Sequence, residues 1–211
     1  ETAMVAAHDV GYAGDFMVAR LDESRGQLEM VLVDVVGKGV AAGTDALQFA
    51  GALGGLIGAL PPVALVEAAN DFLLRQDSDE TFATAVHVLV DLRTGAYELH
   101  SAGHPPALVW DHVDRNWVAD SARGTALGVQ SRPELHHSTG VLQPGDGLLF
   151  YTDGVVERPG LDIDAGIEWL CSTAATAVVD GFEGVSRRVL RKVPRGDDDR
   201  AVLVLHRLEG L

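Results

Sequence analysis

Short apolar runs, punctuated by polar turns that end in glycine, constrain this chain more than any other feature of its sequence. Asp22-Glu23-Ser24-Arg25-Gly26 separates the β-rich residues 16–21 from 28–36, and Leu92-Arg93-Thr94-Gly95 separates 82–91 from 96–101. Turns this short join antiparallel strands, because a parallel pair needs a crossover of a dozen or more residues. Further β-rich runs stand at 3–8, 107–110, 117–118, 135–141, 147–152 and 201–207. The first two of these after residue 100, 107–110 and 117–118, are expected to pair across the polar residues 111–116. Gln143-Pro144-Gly145-Asp146 marks another turn. Residues 28–36 scarcely alternate, which predicts a strand covered on both faces.

Helical patterns interrupt the strands in two places. Residues 40–60 are rich in Ala, Leu and Gly and run into Pro61-Pro62, which is expected to end the helix. Glycines 51, 54, 55 and 58 weaken its intrinsic helicity, by up to about 1 kcal/mol each relative to Ala. In 63–75, Val66, Ala69 and Leu73 form one apolar stripe. A second helical pair is expected at 164–178 and 184–193. Hairpin-linked strands with two helical pairs predict an α+β fold, with two antiparallel sheets and the helices outside. A hydrophobic fraction of 47% supports one sizeable core within 211 residues, hence a single domain over 1–211. The chain begins abruptly in strand-like residues without an initiator Met, and excision from a longer multidomain regulator is expected.

Charge and cysteine content narrow the function classes. Thirty-one acidic residues against 16 basic ones give a formal net charge of −15, with no basic cluster able to displace counterions from a duplex. Nucleic acid is therefore not an expected partner. The single Cys171, set in an apolar stretch, cannot close an internal disulfide; core packing and a reducing, cytoplasmic setting are expected. No run approaches the roughly 20 apolar residues that span a bilayer, so no membrane contact is expected.

Several aspartates stand where packing alone would not put them. Asp34 ends Met30-Val31-Leu32-Val33 and Asp153 ends Leu148-Leu149-Phe150-Tyr151-Thr152. A strand-terminal Asp can simply cap the following turn or helix. Yet both lie close to glycines, which let backbone approach a ligand closely. Gly14-Asp15 and Asp197-Asp198-Asp199 are two further sites of this kind. Acids without a Cys/His cluster suit a hard cation such as Mg²⁺ or Mn²⁺. Rival nucleophiles are poorly supported: Cys171 lacks a cationic glycine-rich loop, no Gly-x-Ser-x-Gly elbow occurs, and Gly37-Lys38-Gly39 is not a full phosphate-binding loop.

Seven motifs in order carry a family resemblance. They are Ala13-Gly14-Asp15-Phe16, Val33-Asp34-Val35-Val36-Gly37-Lys38-Gly39, Thr81-Phe82-Ala83-Thr84-Ala85, Ala102-Gly103-His104-Pro105-Pro106, Leu142-Gln143-Pro144-Gly145-Asp146, Tyr151-Thr152-Asp153-Gly154-Val155-Val156-Glu157, and Asp198-Asp199. Together they resemble the bacterial serine phosphatases of the PPM (type 2C) superfamily, in the branch of the sporulation stage II E and sigma-regulatory phosphatases. The resemblance implies a four-layer α-β-β-α sandwich and a metal-dependent phosphoserine/phosphothreonine phosphatase with two Mn²⁺ or Mg²⁺ ions. By position, Asp34 resembles the bridging carboxylate, with the Val35 carbonyl as a backbone ligand. Asp15 resembles an acid holding metal directly or through water, and Asp153 and Asp198 resemble the pair completing the second ion, with Asp199 as the alternative to Asp198. Asp15, Asp34 and Asp153 would thereby act through a metal-activated water.

The chain departs from the family pattern in its first motif, where Ala13 replaces a Gly and Met17-Val18 replace the usual following pair. No Arg precedes Asp15 to hold phosphate; His8 is the one stand-in there, and Lys38 a second candidate for phosphate contact. His104 lies in a turn that the resemblance makes structural, with a catalytic role as the alternative. Gly124, Leu127 and Gly128 are expected in a loop close to the site. The resemblance further implies a phosphorylated STAS-type anti-anti-sigma protein as substrate and upstream sensor domains, and a homodimer is compatible with it. The glycine-rich helix over 40–60 follows directly from the strand that ends in Asp34, and movement of this helix and its Pro61-linked successor is expected to control metal occupancy. The rival reading is a catalytically weak signalling module that binds its partner without efficient hydrolysis.

Overall fold

A computed structural model describes residues 1–5, 14–36, 40–76, 82–157, 160, 162–194, 196 and 198–208. The chain divides into two compact units, one built from residues 1–11, 105–120 and 142–211, the other from 12–104 and 121–141.

The second unit carries a six-stranded antiparallel sheet in the order β2-β3-β4-β5-β9-β8. Its strands are β2 (Asp15–Asp22), β3 (Gln27–Val35), β4 (Ala83–Asp91), β5 (Ala96–Ala102), β8 (Arg123–Gly124) and β9 (Leu135–Val141). The two glycine-ended turns do join hairpins. Gly26 (φ 65°) and Gly95 (φ 78°) take the left-handed conformation that costs other residues energy. Helices α1 (Val40–Leu56) and α2 (Pro62–Leu74) pack on one face of this sheet. There Phe49 and Leu53 of α1 and Leu65, Ala69 and Leu73 of α2 meet Val31, Val33 and Val35 of β3 and Ala83 and Ala85 of β4. Fully burying each of the larger aliphatic side chains contributes about 1.5–3 kcal/mol. Met30, Val31, Leu32 and Val33 are all buried, so both faces of β3 are covered, as the missing alternation predicted.

One helix boundary corrects the sequence reading. The prolines do not end α1. It stops at Leu56, and Gly58 (φ 73°) turns the chain out in a left-handed conformation. Pro61 and Pro62 instead begin α2, at the N-cap and first helical position, where a missing N–H costs nothing.

The first unit carries a five-stranded antiparallel sheet in the order β1-β11-β10-β6-β7. Its strands are β1 (Thr2–Val5), β6 (Leu108–Asp111), β7 (Asn116–Ala119), β10 (Gly147–Tyr151) and β11 (Arg200–His206). Residues 6–8 of the expected first strand lie outside the described residues. Helices α3 (Ile163–Val178) and α4 (Val185–Leu190) cover one face, with Leu170, Ala174, Val185 and Val189 packed against Trp110, Trp117, Leu149, Tyr151 and Val202. Asp162 caps α3 by accepting from the Ala165 N–H at 2.7 Å. The turn at 143–146 does not close a hairpin. It links β9 to β10, strands of different sheets. The expected α+β class, with two antiparallel sheets and a helical pair on each, is the fold observed. Among the described residues no helix is long and apolar enough to cross a membrane.

Candidate functional site

The six-stranded sheet brings two of the four aspartates together. Asp15 opens β2 and stands directly opposite Asp34 of β3, which in turn stands opposite Thr84 of β4. Strand alternation fixes their common face. Val33, Val35, Ala83 and Ala85 point into the core beneath α1 and α2, so Asp34 and Thr84 between them point to the other side. Asp15 is only 7% exposed and Asp34 is half-buried. Two carboxylates directly opposite on neighbouring strands repel, and near-burial of one removes the water that would screen them. A divalent cation relieves both penalties, so this pair fits a metal ligand set. Val35, the expected carbonyl ligand, is the last residue of β3, and its N–H donates to the Gly14 carbonyl at 3.4 Å.

The five-stranded sheet brings the other two together. Asp153 begins a single 3₁₀ turn (Asp153–Val155) directly after β10, and its carbonyl accepts from the N–H groups of Val156 and Glu157, both at 2.8 Å. Thr152 straps this end of β10 to β11: its N–H donates to the Ala201 carbonyl at 3.2 Å, and its hydroxyl oxygen accepts from the Ala201 N–H at 2.9 Å. Gly154 then allows a close approach. A Cβ there would collide with the Asp199 carbonyl oxygen and lie 3.3 Å from the Asp198 Cβ. Glycine at 154 is therefore what lets the 198–199 segment lie against Asp153. Asp198 is exposed and accepts the Asp199 N–H at 3.0 Å, whereas Asp199 is half-buried. Each unit thus offers one aspartate pair, and neither alone holds all four.

The other candidates fall out as follows. His8, Lys38, Asp197, Ala13 and Thr81 lie outside the described residues. His104 is 4% exposed; its Nδ1 is 2.8 Å from the Thr84 hydroxyl, and its carbonyl accepts from the Ser101 hydroxyl at 3.2 Å. The loop expected over Gly124, Leu127 and Gly128 is more ordered than that. Gly124 belongs to β8, Leu127 is a 1% exposed core residue whose backbone bonds to Ala83 in both directions, and Gly128 donates to the Asn70 side chain at 2.9 Å. The reason is hydrophobic: Leu127 fills the core below α1 and α2. Cys171 is half-buried on α3, and burial pushes its thiol pKa up, in keeping with packing rather than nucleophilic chemistry.

Two features escaped sequence reasoning. Thr84 was only one letter of a motif, and its position beside Asp34 follows from strand register, which sequence does not reveal. Asp111, His112 and Asp146 are, among the described residues, the one group of three metal-type ligands with atoms within 4.8 Å of one another. Both Asp146 oxygens and Asp111 Oδ1 are already committed, however. Asp146 Oδ1 meets His112 Nδ1 at 2.6 Å and accepts the His112 N–H at 3.1 Å, and Oδ2 accepts the Gln143 N–H at 2.7 Å. Asp111 Oδ1 accepts from Val113 and Asp114. This cluster clamps two turns, which gives Asp146 of the Gln-Pro-Gly-Asp motif a structural role.

Comparison with known proteins places this geometry. Residues 24–208 match the family described as Stage II sporulation protein E (SpoIIE). The chain is 22% identical over 169 residues to the phosphoserine phosphatase RsbU of Bacillus subtilis (strain 168), a match covering 75% of this chain and 50% of that protein. The chain thus spans about half the length of that curated relative. A crystal structure of the RsbU and RsbW domains of Rv1364c from Mycobacterium tuberculosis superposes with a TM-score of 0.86 at 28% identity, covering 100% of this chain and 62% of that one. The PP2C phosphatase domain of SpoIIE from Bacillus subtilis, solved with a fragment of its regulatory domain, superposes with a TM-score of 0.81 at 16% identity, covering 96% and 61%. The class defined by fold and motifs is that of the PPM-type serine/threonine phosphatase domains. Within it, the chain belongs to the SpoIIE family.

Proposed function

We propose that residues 1–211 form one phosphatase domain that hydrolyses phosphoserine or phosphothreonine on a regulatory protein with the help of two Mn²⁺ or Mg²⁺ ions. The observation that carries this reading is the pairing of acids. Asp15 and Asp34 face one another in register, and Gly154 admits Asp198 and Asp199 against Asp153. Like charges are brought together at two places where the local backbone enforces the approach, which is the signature of a cation ligand rather than of packing. Asp15, Asp34 and the Val35 carbonyl are the proposed ligands of one unit, and Asp153 and Asp198 those of the other. Bound divalent ions would lower the pKa of a water to make a nucleophile and would neutralise phosphoryl charge. The chain's own part is to fix the acids. Asp34 is held between two hydrogen-bonded neighbouring strands, and Asp153 by the turn and the Thr152 strap.

The proposed substrate is a phosphorylated STAS-type anti-anti-sigma protein, whose binding to its partner would switch when about 1.5–2 units of negative charge are removed. Upstream sensor domains in the longer protein are the proposed source of control. The test is hydrolysis of p-nitrophenyl phosphate and of a phosphorylated STAS protein with Mn²⁺ or Mg²⁺, by wild type and Asp34→Asn. Metal-dependent turnover lost in the variant supports the reading. Equal rates in the two proteins, with Mn²⁺ binding shown by calorimetry, would overturn it. Partner binding without turnover would instead support the weak signalling module.

A further inference from the structure

Thr84 and His104 occupy a place that the ligand set does not explain. Thr84 lies on the sheet face that carries Asp34, directly opposite it in register, so their Cβ atoms are about 4.5–5.5 Å apart. That register sets the hydroxyl beside the Asp34 side chain, but the hydrogen bond it makes in the structure is to His104. On its other side the same hydroxyl meets His104 Nδ1 at 2.8 Å. The histidine is held with unusual care for a turn residue. Gly103 (φ 69°) takes the left-handed conformation, bridges Ala85 in parallel, and donates to the Gly124 carbonyl at 3.0 Å. A Cβ at Gly103 would lie 2.8 Å from the Ala126 nitrogen, so backbone passes where a side chain would otherwise stand. His104 is buried, and its carbonyl is pinned by the Ser101 hydroxyl. The Ala102-Gly103-His104 turn therefore delivers an imidazole to one hydroxyl.

We propose that His104 and Thr84 are a positioning pair for Asp34. With the proton on Nδ1, His104 donates to the Thr84 oxygen, and the Thr84 hydroxyl proton is left to turn to the Asp34 carboxylate, a bond that the proposal adds to those the structure makes. Of the two neutral tautomers only this one frees that proton for the acid. A hydrogen bond from outside the ligand set fixes which carboxylate oxygen is presented and how it is turned, and such partners matter to metal binding almost as much as the ligands. Neither residue touches the reacting atoms in this arrangement. The inference rests on the reading of Asp34 as a metal ligand.

The experiment is Mn²⁺ titration calorimetry on the 211-residue chain, alongside p-nitrophenyl phosphate kinetics and thermal unfolding in EDTA. Thr84→Val is expected to weaken Mn²⁺ binding about 10-fold or more, while Thr84→Ser, which keeps the hydroxyl, stays within about 3-fold of wild type. His104→Ala should weaken binding when Thr84 is present and add almost nothing in the Thr84→Val background. Wild-type Mn²⁺ affinity in Thr84→Val, or effects of the two substitutions that multiply in the double variant, would overturn the proposal. Should His104→Ala fail to fold, the contrast between Val and Ser at position 84 decides alone. Asp34→Asn separates the two levels of the argument. If it binds Mn²⁺ like wild type, the ligand reading fails; if it loses Mn²⁺ while Thr84→Val does not, only the positioning pair fails.

Discussion

Replacing Asp34 by Asn should stabilise the protein without metal and destabilise it, relative to wild type, with metal. The reasoning starts from the register that sets Asp15 opposite Asp34. Carboxylates on directly opposed positions lie roughly 5 Å apart, and two like charges at that distance repel by about 3 kcal/mol at an effective dielectric of about 20, or by about 0.8 kcal/mol in bulk water. Asp15 is nearly buried and Asp34 half-buried, which puts the expected relief between those limits, at about 1–3 kcal/mol. For a chain of this length each kcal/mol moves Tm by about 2–4 °C, so Asp34→Asn should melt about 2–12 °C above wild type in EDTA. In Mn²⁺ at about 1,000 times its Kd, wild type gains about 4.1 kcal/mol from binding and the variant much less, so the order reverses. Thermal unfolding by circular dichroism in EDTA and in Mn²⁺ reads both. A variant that melts below wild type in EDTA, or an equal Mn²⁺ shift in the two proteins, would refute the claim that this pair is a strained cation site.

Three further outcomes are expected. Gly154→Ala forces the chain apart at the Asp199 carbonyl and should cost about 1–3 kcal/mol, read from urea unfolding, with a parallel loss of Mn²⁺ affinity. Unchanged stability would mean that the 198–199 segment yields freely. Asp162→Ala removes the cap of α3 and should lower stability by about 1 kcal/mol with metal affinity unchanged. Burial holds the His100 imidazole below its ordinary value of 6.5, against the opposing pull of its bond to Glu98. The unfolded chain therefore takes up a proton before the folded protein does, and stability falls as pH drops below about 6.5 toward the folded-state value. His100→Gln should flatten that slope in denaturation midpoints measured between about pH 8 and 5; an unaltered slope would place the titration elsewhere.

The strands were legible because their turns are written in glycine and polar residues. Gly26 and Gly95 sit at the ends of hairpins that the sequence marks openly, and the bounds of β9 are those expected, Leu135–Val141. The turn at 143–146 was visible too, but nothing local says whether a turn joins strands of one sheet or of two. Pro61-Pro62 misled for a related reason: a proline marks a boundary without saying which side of it is helical, and here the preceding Gly58 had already ended α1. Acid positions were readable from their strand ends and glycines. The Asp15–Asp34–Thr84 row was not, since it depends on the pairing of β2, β3 and β4 over a gap of nearly fifty residues between β3 and β4. The role of Gly154 became plain only when residues 198 and 199 were seen against it.

Strand β1 pairs with β11, setting Thr2 opposite Leu203 and Val5 opposite Arg200. The first and last strands among the described residues are thus neighbours, and the remainder of their sheet comes from residues 108–119 and 147–151. Such a sheet cannot close until residue 206 has left the ribosome, whereas every strand of the other sheet is available by residue 141. Contacts of such large sequence separation slow folding, because the entropy of closing the loop must be lost before the pairing returns anything. Synthesis should therefore produce a half-folded species, with the six-stranded sheet and its helices formed first and the Asp153 and Asp198 segment assembled last. Placement of the Asp153 and Asp198 segment would then be the last step in the folding of residues 1–211, and truncation within β11 would abolish it by leaving β1 and β10 without their common partner.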